Sequence, residues 1–187
     1  ANAAREVAVQ VQNAISAFSN SIYIAFKPQL IKSYAEENFK YMINLFYLSS
    51  KAIFFLDILI CVPIYINTEF ILNLWLTEVT QNMVVFVKLS LIYISIFALN
   101  NPITTLVQAT GKIRRYAVIV ETIIMVSLPL TYLFYKLDFP PESTFWVSIV
   151  IFSFAHIVRL FMLKELIEFS IIYYCKEFVL PSLLVML

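Results

Sequence analysis

Apolar residues in this chain run in long unbroken stretches instead of alternating with polar ones. Val7 to Phe26 contains no charged residue, and neither does Leu89 to Gly111. Ala52 to Thr68 carries only Asp57, and Tyr116 to Tyr135 only Glu121. Ser143 to Val158 is uncharged and extends past Arg159 to Leu163. A helix crosses roughly 30 Å of hydrocarbon with about 20 mostly apolar residues. The pattern predicts five full spans over 4–27, 50–67, 84–108, 115–136 and 143–163, and the start of a sixth over 177–187. Barrel strands alternate and are about half as long. The expected fold class is an all-α integral membrane protein, a polytopic transmembrane helix bundle.

The connections orient it. Lys27-Pro28 predicts the end of the first helix, and 28–49 mixes aromatic with polar residues as an amphipathic helix on a membrane interface does. That connection carries Lys27, Lys32, Lys40 and Lys51; the third carries Lys112, Arg114 and Arg115; the fifth carries Arg159, Lys164 and Lys176. The second connection has no cation and the fourth, at Pro140-Pro141, only Lys136. Cytoplasmic loops are the cationic ones, so the odd connections are cytoplasmic and the first span enters from outside. The chain opens on Ala1-Asn2-Ala3-Ala4-Arg5 and closes on an apolar run from Leu180 to Leu187. We read it as an internal piece of a longer membrane protein.

Composition narrows the classes. Of 187 residues, 61% are hydrophobic and only 13% charged, against about 25% charged in a soluble domain. A mean hydropathy of +0.86 at 21.7 kDa exceeds what so small a globule can bury. A soluble monomer, a disordered tail and a disulfide scaffold are excluded. A net charge of +1 offers no footprint for nucleic acid. One histidine and one glycine, Gly111, exclude multi-histidine metal sites and glycine-rich phosphate loops, so no cofactor is expected. Cys61 and Cys175 both sit in apolar stretches and read as buried inert thiols.

Polar residues inside the spans are the candidate chemistry. Arg5, Gln12, Asn13, Ser16, Ser19 and Asn20 share about a third of the first helix's circumference at 100° per residue. Such a stripe borders a polar cavity or glues helices together. Asn101, Thr104, Thr105 and Gln108 form a second stripe, and Pro102 among them predicts a kink. Asp57 is the deepest charge and either carries a proton or cation or pairs statically; a charge at this depth costs about 2.5–3.5 kcal/mol. Arg5, at the outer end of the stripe, holds an anion or pairs with Glu6 or lipid phosphate. Lys88 snorkels, Glu121 pairs locally with Arg114 or Arg115, and His156 reads as a satisfied packing residue. Trp75, Trp146 and the terminal tyrosines suit interfacial belts.

An ordered set of short segments carries a family resemblance. It comprises Asn2-Ala3-Ala4-Arg5, Lys27-Pro28-Gln29, Lys32-Ser33-Tyr34-Ala35, Thr68 to Leu76, Gln108-Ala109-Thr110-Gly111-Lys112-Ile113 and Leu137 to Glu142. Across essentially its whole length the chain resembles the C-terminal half of Wzx-type polysaccharide (O-antigen) flippases, in the multidrug/oligosaccharidyl-lipid/polysaccharide transporter superfamily. Glu6 stands where such proteins usually have glycine, which puts an acid beside Arg5. The resemblance implies half of a two-bundle carrier in the bacterial inner membrane, not an enzyme. Its partners would be an undecaprenyl-pyrophosphate-linked oligosaccharide, membrane lipid and an N-terminal bundle of the same chain. Arg5 would meet the phosphate and Gln12, Asn13, Ser16, Asn20 and Asn101 the sugars, with Asp57 coupling an ion. The competing readings are a cation-coupled multidrug exporter of the same superfamily and, further off, a membrane glycan polymerase.

Overall fold

Helix α1 runs from Asn2 to Ala35 and α2 from Phe39 to Ile66. At 1.5 Å per residue they are about 50 and 42 Å long, well over a hydrocarbon core. The computed structural model describes residues 2–176, and among these there is no strand. The remaining elements are α3 (Thr68–Asn73), α4 (Gln81–Ala98), α5 (Asn100–Ala109), α6 (Ile113–Met125), α7 (Ser127–Lys136) and α8 (Ser143–Leu166). Among the described residues four stretches are long and apolar enough to cross a membrane: α2, α4 with α5, α6 with α7, and α8. This is a polytopic helical bundle. Helix α1 has the length but not the hydropathy, because one of its faces is polar. The expected sixth span, over 177–187, lies outside the described residues.

Lys27-Pro28 does not end α1, and 28–49 is not a separate interfacial helix. Pro28 sits exposed within α1, and its missing N–H costs one backbone bond. Burial beyond it offsets that cost. Leu30 is fully buried, Ser33 nearly so, and Leu30 packs in one cluster with Met42, Leu45 and Phe46 of α2. The hairpin closes in a Schellman turn, Asn38 N–H bonding Ser33 O and Glu37 N–H bonding Tyr34 O. Glu37 takes the left-handed position at φ +56°. Asn38 then caps α2, its side chain accepting from Tyr41 N–H at 3.3 Å.

Two other prolines interrupt their helices. Pro102 is the third residue of α5 and Pro129 the third of α7, and the breaks fall at Leu99 and Val126. Each proline leaves the carbonyl four residues earlier, Ala98 or Met125, without its helical donor. Where the sequence predicts a kink at Pro102, the helix is interrupted at Leu99, three residues upstream.

Helix α1 packs on α4, α2 and α5, while α8 packs on α4, α6, α5 and α7. The α6–α7 stretch lies outermost, with only Tyr116 and Val120 buried in α6 and nothing in α7. The core divides in two. One cluster gathers Leu30, Met42, Phe46, Ile103, Leu106 and Leu163 at the end holding the 36–38 turn and Gly111. The other gathers Ala8, Ile15, Cys61, Leu72, Val87 and Ile94 toward the opposite end.

Three local expectations change. Arg159 is not in a connection: it lies within α8 and is only 6% exposed. Arg115 pairs with Glu165 of α8 at 3.3 Å and not with Glu121, which is two turns along α6 and out of reach. Cys61 is buried as expected, but Cys175 is exposed.

Candidate functional site

Between the two apolar clusters the bundle is polar. Along α2 the inward face runs Ile53, Phe54, Asp57, Cys61, a helical spacing that delivers Asp57 to the centre with no exposed surface. Along α1 the inward face runs Ala4, Val7, Ala8, Val11, Ile15, Ser19. Ser19 meets Asp57, donating its hydroxyl to Oδ1. Oδ2 has no hydrogen-bond partner. A buried carboxylate with one free oxygen is costly unless something cationic visits it, so this oxygen is the chemically available atom.

Ser19 also borders an open cleft of about 260 Å³ between α1 and the α4–α5 junction. Ser16 and Asn20 line it from α1, Ile94 and Phe97 from α4, and Asn101 from α5. One turn further along both walls, Tyr23 and Thr105 join their hydroxyls at 2.8 Å and close that end. The cleft therefore offers two amides, the hydroxyl of Ser16 and the 40% exposed Phe97. That set suits a neutral, hydroxyl-rich ligand with one apolar face.

Of the residues read from the sequence, Ser16, Asn20 and Asn101 come together in this cleft. Gln12 is half-buried and Asn13 exposed on the next turn of α1. Arg5 is separate, about 16 Å along the helix from Ser16, in a wider open cleft of about 530 Å³ with Asn2, Glu6, Val9 and Gln10. The structure does not bring Arg5 to the amide group. Asp57 lies behind the cleft and touches it through Ser19. His156 is satisfied, its Nδ1 bonding Asn100 Oδ1 at 2.8 Å. Lys88 rests its Nζ 5.2 Å from the centre of the Tyr65 ring, a cation–π contact.

The sequence places Ser19 in the stripe but does not show that it meets Asp57, nor that Thr105 pairs with Tyr23. Nor does it single out Phe97, since one aromatic among many gives no periodic signal. Among the described residues no group of three or more His, Cys, Asp or Glu is placed to hold a metal. The chain matches no family model, no curated protein and no solved structure.

Proposed function

We propose that this chain is one bundle of a carrier that moves an undecaprenyl-pyrophosphate-linked oligosaccharide across the bacterial inner membrane for surface polysaccharide assembly. In this reading α1 is a fifth full span whose polar face borders a hydrated cavity shared with an N-terminal bundle. The observation that carries it is the open cleft of Ser16, Asn20 and Asn101 at mid-bundle, continuous through Ser19 with a buried acid. A scaffold has no use for such a cleft inside a membrane bundle.

A charged glycan cannot cross hydrocarbon unaided, because moving a bare ion there costs tens of kcal/mol in the Born limit. Amides and hydroxyls along α1 replace the water on the sugars while the lipid tail stays in the bilayer. Ser16, Asn20 and Asn101 bond sugar hydroxyls, and Phe97 takes the apolar face of a ring. Gln12 and Asn13 continue the path toward Arg5, which meets the phosphate. Asp57 Oδ2 takes the coupling proton or cation, and rocking of two bundles about the cavity alternates access.

The test is the full-length protein in proteoliposomes, following a lipid-linked oligosaccharide to the opposite leaflet. Asn20→Ala and Asn101→Ala are each expected to slow transport about tenfold, the loss of roughly one hydrogen bond. Arg5→Ala and Asp57→Asn are expected to lower it further. The second reading, a cation-coupled exporter of organic cations, is favoured by one observation, the free oxygen of Asp57. Wild type that moves no glycolipid but exports an organic cation in response to an ion gradient would replace the first reading with the second.

A further inference from the structure

On the far side of the α4–α5 break, facing α8, lies a group of buried donors that the cleft does not use. Arg159 is 6% exposed and its Nε and Nη1 have no hydrogen-bond partner. Asn100 is 4% exposed; its Oδ1 accepts from His156 Nδ1–H, and its Nδ2 has no partner. His156 and Arg159 are three residues apart on α8, which puts their Cβ atoms about 5–6 Å apart on one face. Tyr93 of α4 is also within electrostatic reach of Arg159. Asn100 opens α5, with one residue between it and the end of α4, and its side chain turns toward α8.

All the unsatisfied atoms at this place are donors, and a guanidinium keeps its charge at any physiological pH. A buried charge without a counter-charge costs several kcal/mol. Asp57 takes one hydrogen bond, from Ser19, and its free Oδ2 makes no bond to Arg159; no acidic side chain pairs with Arg159 among the described residues. The complement to such a group is a species that only accepts, and carries negative charge. Both principal side chains are more than nine-tenths buried, which leaves no mouth for a lipid headgroup or a peptide.

We infer that Arg159 and Asn100, with His156 orienting the amide, form an intrabundle site for a small inorganic anion of the chloride or phosphate class. The site is independent of the transport reading. A bound anion neutralises Arg159 and ties α8 to the α4–α5 junction, so the bundle is more stable when the site is filled.

The test uses the full-length protein in detergent. Sodium gluconate is replaced stepwise by sodium chloride, and separately by sodium phosphate, at constant ionic strength, and the unfolding temperature is read by intrinsic fluorescence. Wild type is expected to gain on the order of 5 °C and to saturate with at least one of the two anions. Asn100→Asp places a carboxylate beside Arg159, and Arg159→Met removes the charge; each is expected to abolish the dependence on anion. Lys112→Gln, which removes an exposed cation, is expected to keep it. A flat wild-type response overturns the inference. A response that persists in Asn100→Asp or Arg159→Met overturns it too, as does stabilisation by anionic lipid in nanodiscs but by neither inorganic anion.

Discussion

Replacing Ser19 by alanine isolates the link between the cleft and the buried acid. Asp57 has no exposed surface, one oxygen without a partner, and Ser19 Oγ donating to the other. Ser19→Ala removes that donor and leaves the carboxylate with neither oxygen bonded. A hydrogen bond to a charged group is worth about 1.5–3 kcal/mol. For a unit of this size that corresponds to a fall of about 3–12 °C in Tm. Asp57→Asn keeps the acceptor for Ser19 and discards the buried charge, so its Tm is expected to hold or rise. In the Asp57→Asn background, Ser19→Ala loses only a neutral bond, about 0.5–1.5 kcal/mol. The double-mutant cycle, measured by thermal unfolding in detergent, is therefore expected to show a coupling of about 1 kcal/mol or more. A Ser19→Ala cost that is equal in the two backgrounds would refute the reasoning, since Asp57 would then not depend on Ser19 as a charged group.

Three further outcomes follow from local geometry. Glu37 holds a left-handed backbone at φ +56° in the α1–α2 turn, so Glu37→Gly is expected to raise Tm by about 2–4 °C; no gain would mean that the turn is held by contacts of the Glu37 side chain. Pro102→Ala returns an N–H opposite the Ala98 carbonyl and is expected to slow amide exchange across 98–102, which hydrogen–deuterium exchange reads directly. Cys175 is exposed and Cys61 buried, so a maleimide is expected to label one thiol in the folded protein and two after denaturation. Rapid labelling of Cys61 would show that the α1–α2–α4 packing is open in detergent.

Membrane burial imposes a coarse rule, that charge must be absent over a helix length, and a rule that coarse is visible in one dimension. The α2, α4–α5, α6–α7 and α8 stretches and the depth of Asp57 follow from it, and the break near Pro102 follows from an equally local rule, the N–H that proline lacks. Which way a helix turns, and where it stops, depends on neighbours. Pro28 and Pro102 have the same missing donor, yet only Pro102 breaks its helix, because burial of Leu30 against Met42 and Phe46 carries α1 past Pro28. Arg159 reads as a loop cation beside Lys164, and only the packing of α8 on α4 and α5 takes it inside. The polar stripe of α1 was plain from its period, but period cannot distinguish Ser19, which reaches Asp57 across the hairpin, from Asn20, which opens to the cleft. Those assignments are made by contacts between residues 38, 56 and 82 positions apart in the chain. Hydropathy sums along the chain and determines that it forms a membrane bundle; hydrogen bonds are pairwise and directional, so the composition of the polar layer was decided only when the helices met.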